Sequence, residues 1–169
     1  MCSSDLVMVL DRERHLELIE AISTTGAKVH TISDGDVSAC MATCFEESGI
    51  DLYMGIGGAP EGVLAAAALR CLGGEIQTKL CWIHEDEKER LDLAGYTDLE
   101  RVYRTRDLAG GNNITFVATA VTDGAALKGV RFVGNGRVAT DTLVMRTSSG
   151  TIRKINAVHD LSRKDIHNI

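Results

Sequence analysis

The stretch LYMGIGGAPEGVLAAAALRCLGG, Leu52 to Gly74, decides the fold class. It passes from an apolar run, through a loop with glycines at 55, 57 and 58, into an alanine-rich run at helical spacing. The chain's only proline, Pro60, stands where the helix should begin. Proline suits a first helical turn, because the N–H it lacks would have no intrahelical partner there. Gly73 and Gly74 close the helix, as glycine does by adopting a left-handed conformation. Glycine loop, proline and terminal glycines together read as strand, tight loop, helix.

The same alternation runs backward from this unit. LVMVLD (Leu6 to Asp11) is a short continuous apolar run, as expected of a strand buried on both faces. RERHLELIEAISTTG follows, with Leu16, Ile19 and Ile22 at helical spacing and Gly26 as its stop. AKVHTIS is a second strand, VSACMATCFEES a second helix and IDLYMGIGG a third strand. The order β-α-β-α-β-α predicts a parallel or mostly parallel sheet flanked by helices, an α/β class fold. Beyond Gly74 the pattern changes. EIQTKLCW reads as a strand, HEDEKERLDLAGY as a charged solvent-facing helix and ITFVATAV as a strand. The segment from Gly129 alternates apolar and polar residues around turn signals at GNG and SSG, which predicts hairpins. The polar tail from Ser162 is expected to be loose.

At 169 residues the chain is expected to be one domain, 1–169, large enough for a real core. The formal net charge is -6, with an isoelectric point near 5.3. That argues against a general nucleic-acid binder or a protein that coats anionic membranes, while leaving room for one small phosphorylated ligand. The five cysteines are widely spaced, with no CxxC, and read as buried reduced thiols in a cytoplasmic protein. Cys40 and Cys44 are spaced to share a helix face. No apolar run is long enough to span a membrane, and the N-terminus lacks the features of a signal peptide.

In open α/β sheets, ligands bind at the carboxyl ends of the strands. Three loops fall there. The first carries Arg12, Glu13 and Arg14. Guanidinium forks match phosphate oxygens, although surface charge at a helix start explains them as simply. His15 reads as a helix-start residue. The second loop carries Asp34, Gly35 and Asp36, which could accept bonds from sugar hydroxyls or bind a hard cation. It could equally be a turn in which Asp36 caps the next helix. The third loop carries Gly58 and Glu61. Glu61 is placed to be a helix-dipole partner or a metal ligand. The loop departs from the dinucleotide pattern GxGxxG, since Pro60 occupies the third position.

These residues resemble class II fructose-1,6-bisphosphatase, including its bifunctional fructose-1,6-/sedoheptulose-1,7-bisphosphatase relatives. DRERH, ISDGDV, the Leu52–Gly74 unit, ITFVATAVTDGAALKGV and TLVMRTSSGTIRKINAVH carry the resemblance, from Leu6 to about Asp165. It implies a layered sugar-phosphatase-type fold, similar to inositol monophosphatase and fructose bisphosphatase, of which this chain matches the C-terminal half. It also implies hydrolysis of the 1-phosphate of fructose 1,6-bisphosphate with Mg²⁺ or Mn²⁺, in a cytoplasmic enzyme whose full-length form is a homo-oligomer. On this resemblance, Arg12, Glu13, Arg14, Asp34, Gly35, Asp36 and Gly58 contact the sugar bisphosphate. Glu61 is the catalytic metal ligand.

Two departures qualify that reading. The family's other metal-binding Asp and Glu lie in its N-terminal half, and nothing before Leu6 could supply them. Relatives often have proline where this chain has Glu13, and an acid between two phosphate-facing arginines should turn away or weaken binding. A half-length enzyme is therefore expected to expose apolar surface and to need its other half. The rival reading is a non-catalytic module that binds sugar phosphate or the intact enzyme.

Overall fold

The computed structural model describes residues 5–82, 84–124 and 126–164. Cys2 and the tail beyond Lys164 lie outside the described residues. Strand β1 (Leu6–Leu10) is central in a parallel sheet of order β2-β1-β3, between β2 (Lys28–Ile32) and β3 (Leu52–Met54). Its apolar run has no solvent side: Val7 through Leu10 are all buried. Successive side chains point to opposite faces. Val7 and Val9 therefore pack with Ile22 of α1 (Leu16–Thr24). Met8 packs on the other side with Ala39 and Ala42 of α2 (Asp36–Ala42) and with Ile50. In α1 the buried side is built from Leu18, Ile19 and Ile22, while Leu16 is 60% exposed. A single 3-10 turn, Glu13–His15, precedes α1, and Leu16 stands at the junction between the two.

Helix α3 (Ala59–Leu72) starts and stops as expected. Gly58 is its N-cap, Pro60 lies in its first turn, and Gly73 ends it at φ 81 with its N–H donating to the Leu69 carbonyl at 2.8 Å. Its small residues let it lie between α2 and the second sheet. Ala68 and Cys71 join Met41, Phe116, Leu143 and Met145 in the main core.

That second sheet is antiparallel and organised by β8 (Arg137–Arg146). Along one edge β8 pairs with β9 (Thr151–Asp160), from Arg137↔Asp160 to Arg146↔Thr151. Its other edge is shared by β6 (Thr115–Thr119) and β7 (Arg131–Gly134). The GNG turn forms as expected, with Gly134, Asn135 and Gly136 all at positive φ. The second hairpin turns through Thr147–Gly150. Some large apolar side chains of this sheet are exposed: Phe132 is 84% exposed and Val158 58%.

Two elements are shorter than expected. EIQTKLCW yields only β4 (Gln77–Thr78), which pairs with β5 (Tyr103–Arg104). Helix α2 ends at Ala42, because the Thr43 hydroxyl bonds back to the Cys40 carbonyl at 2.8 Å and Phe45 is extended. Cys44 thus lies off the helix that carries Cys40. The charged helix α4 (Glu85–Leu93) is solvent-facing, with three acids in its first turn and Arg90 in its last, as the helix dipole favours. No described helix is long and apolar enough to cross a membrane.

Candidate active site

The loops after β1, β2 and β3 meet on one rim, because parallel strands put their carboxyl ends on the same side. The contacts between loops are specific. His15 is fully buried. Its Nδ1 faces the Leu10 carbonyl at 2.8 Å, and its Nε2 faces the Ile56 N–H at 2.8 Å. A carbonyl only accepts and an amide N–H only donates, so Nδ1 carries the proton and Nε2 accepts. Gly55 passes directly against this ring: a Cβ there would lie 3.3 Å from His15 Cε1. His15 is thus the link between the first and third loops, a role beyond the helix-start position expected from sequence.

Arg14 reaches the same target. Its Nε and Nη2 donate to the Ile56 carbonyl at 3.1 and 2.9 Å. Nη1 lies on the other side of the guanidinium from this contact, and Arg14 as a residue is exposed. Arg12 is exposed and its Nη1 donates to the Asp11 carbonyl at 2.9 Å. Glu13 opens the 3-10 turn and is exposed.

In the second loop, Gly35 adopts φ 101 and is itself the N-cap of α2. Asp36 therefore lies in the first turn rather than at the cap, which frees its carboxylate for another partner. The Tyr53 hydroxyl donates a short hydrogen bond to Asp36 Oδ1. Burial, and then this carboxylate, push the Tyr53 phenol far above its ordinary pKa. Asp36 Oδ2 lies beside Gly57, 3.5 Å from where a Cβ would sit. Asp34 Oδ1 accepts from the Gly35 N–H at 2.8 Å, holding the turn.

At the start of α3, the Gly58 carbonyl accepts from the Gly62 N–H at 3.1 Å. The Glu61 side chain folds back over Gly58 so closely that a Cβ at 58 would collide with its Oε2. Glu61 is exposed, in the first helical turn, where the helix dipole favours a carboxylate. Mg²⁺ takes six oxygen ligands in near-octahedral geometry. Among the described residues no group of three or more His, Cys, Asp or Glu converges to hold a metal. The exposed Glu61 carboxylate has the chemistry of one such ligand, and the described residues do not complete a site around it.

Beside the rim is an open cleft of ≈ 1040 Å³. Asp34 and Gly35 line it together with Thr122, Asp123 and Gly124. The sequence pattern marked neither Thr122–Gly124 nor Tyr53 as site residues. The only signal for Tyr53 was a phenol in an otherwise apolar strand just before the glycine loop.

The family model of bacterial fructose-1,6-bisphosphatase, glpX-encoded, matches residues 2–159. The chain is 43% identical over 169 residues to a D-fructose 1,6-bisphosphatase class 2/sedoheptulose 1,7-bisphosphatase of Synechococcus sp. (strain JA-2-3B'a(2-13)), covering 92% of this chain and 48% of that protein. It is 43% identical over 170 residues to the Microcystis aeruginosa protein of the same name, covering 94% of this chain and 49% of the relative. The chain spans about half the length of these curated relatives and corresponds to their C-terminal half. With a layered α/β architecture and a family match along almost its whole length, this chain belongs to the bacterial, glpX-encoded fructose-1,6-bisphosphatase family.

Proposed function

We propose that this chain supplies the sugar-phosphate-binding half of a metal-dependent sugar bisphosphatase. The reaction is hydrolysis of the 1-phosphate of fructose 1,6-bisphosphate. Sedoheptulose 1,7-bisphosphate is a second candidate substrate, because the relatives carry both activities in their names. The observation that carries this reading is the convergence of Arg14, Asp36, Gly58 and Glu61 on one rim. Each brings the chemistry its role needs. The Nη1 side of Arg14, with Arg12, faces a phosphate. Asp34, Gly35 and Asp36 accept from sugar hydroxyls, and Gly58 offers close backbone approach. Glu13, exposed beside the arginines, borders the same ligand.

The proposed cofactor of the bisphosphatase as a whole is Mg²⁺ or Mn²⁺. Glu61 is the ligand this chain would contribute. When bound, such an ion screens phosphate charge and activates water. We further propose that residues 1–169 act as one unit in the cytoplasm, within a homo-oligomeric enzyme. The incomplete donor set around Glu61 favours a second reading, a non-catalytic sugar-phosphate-binding module.

The deciding experiment measures phosphate release from fructose 1,6-bisphosphate with Mn²⁺, alongside fructose 6-phosphate binding. Wild type is compared with Glu61→Gln. Release lost in the variant assigns the activity to this chain. Binding without release supports a binding half. Absence of both rejects the sugar-phosphate reading.

A further inference from the structure

Two consecutive residues of the first loop hold both polar ends of one residue in the third. The Ile56 N–H donates to His15 Nε2 at 2.8 Å, and the Ile56 carbonyl accepts from Arg14 Nε and Nη2 at 3.1 and 2.9 Å. The two groups belong to different peptide planes, one on each side of the Ile56 Cα. A planar trans peptide sets the N–H of the next residue opposite the carbonyl it follows. Fixing the Ile56 carbonyl therefore fixes the direction of the Gly57 N–H, turned away from Arg14. Without the two anchors, the glycines at 55, 57 and 58 would leave this backbone free to take many conformations.

The anchor is itself rigid. His15 is fully buried, its Nδ1 is committed to the Leu10 carbonyl at 2.8 Å, and Leu10 ends the central strand of the sheet. The chain of contacts runs from the core strand, through the imidazole, to the loop that approaches the ligand.

We propose that Arg14 and His15 form a peptide clamp, and that His15 is a positioning residue: it holds the Gly55–Gly58 backbone in the conformation that receives the sugar phosphate. This rests on the sugar-phosphate reading given above. Arg14 then has two tasks. One side of its fork holds Ile56, and the Nη1 side is left for the ligand. His15 meets no ligand and acts only through the loop.

The test uses His15→Phe, which keeps a ring but has no acceptor, and His15→Gln, whose side-chain oxygen can still accept from the Ile56 N–H. ¹⁵N relaxation of the Gly57 and Gly58 amides is read without ligand, and fructose 6-phosphate affinity is read separately. In His15→Phe both amides should gain fast motion, and the Kd should rise about tenfold, the equivalent of one hydrogen bond's net contribution. His15→Gln should restore both. A role confined to packing would leave the two variants alike, and that result overturns the proposal. Equal rigidity of Gly57 and Gly58 in wild type and His15→Phe also overturns it. If His15→Phe does not fold, Arg14→Met on the exposed side of the clamp is read by relaxation alone; an unchanged Gly57 amide then rejects the clamp. Failure of wild type to bind fructose 6-phosphate removes the ligand from the reading, and the relaxation comparison still decides the clamp.

Discussion

Replacing Gly58 by alanine should separate stability from function at this rim. The backbone at 58 has φ -67 and ψ 149, which any L-residue adopts without strain. The added methyl would collide with Glu61 Oε2, lie 3.3 Å from Glu61 Cδ and only touch Pro60 Cδ at 3.6 Å. The obstructing group is the end of a flexible, exposed side chain, so Glu61 swings away and the backbone stays. Alanine is a poorer N-cap than glycine by up to about 1 kcal/mol. Restricting the unfolded chain returns about 0.4–1 kcal/mol. The net change should stay within about 1 kcal/mol, a shift in Tm of no more than roughly 4 °C for a chain of this size. The carboxylate, however, no longer lies over the loop. On the proposal that Glu61 is a metal ligand, displacing it should weaken Mn²⁺ binding by at least about 10–100-fold, the cost of losing a ligand's supporting contacts. The assay pairs urea unfolding with Mn²⁺-induced broadening of the amide signals of residues 58–62. Broadening at unchanged Mn²⁺ concentration in Gly58→Ala would refute the reasoning about Glu61. A stability loss above about 2 kcal/mol would refute the claim that only a side chain is displaced.

Tyr53→Phe removes the donor to the Asp36 carboxylate. It should lower stability by about 1.5 kcal/mol in urea unfolding, the low end of the range for a hydrogen bond to a charged group, since Tyr53 is only partly buried; an unchanged midpoint would contradict a stabilising role for this bond. Burial, followed by the charge of Asp36, pushes the Cys40 thiol up from 9.0 to about 12. The unfolded chain therefore releases this proton first, and stability should fall as pH rises from 9 toward 12, by about 1.4 kcal/mol per pH unit from this group. Cys40→Ala should flatten that slope, and identical alkaline profiles for the two proteins would contradict the assignment.

Local pattern made much of this legible. The Leu6–Leu10 run, the glycine stops at Gly26 and Gly73 and the Pro60 helix start are set by near neighbours, and the structure has each in place. The end of α2 was not readable, since it depends on whether Thr43 turns its hydroxyl back on Cys40. The strand expected in EIQTKLCW shrinks to two residues because its partner, Tyr103–Arg104, is equally short. At the site, the spacing of loops to strands placed Arg14, Asp36, Gly58 and Glu61 on one rim. The work of His15 was hidden, because its meaning depends on Ile56, 41 positions away. Asp36 looked like a cap until Gly35 took that place, leaving the carboxylate for Tyr53.

The position of β9 has a consequence for how copies of this chain meet. Among the described residues it pairs with β8 alone, so the N–H and C=O groups of alternate residues along its other side are left to any strand that could add to the sheet. Arg153 and Lys154 stand side by side along it, and adjacent residues of a strand face opposite ways. Lys154 is held on one face by Glu47 at 3.8 Å and lies over the Phe45 ring, so Arg153 is the charge presented on the other face near the middle of this edge. A second β9 approaching edge to edge would bring its own Arg153 toward this one. That like-charge encounter disfavours runaway strand addition at an edge that no other described strand pairs.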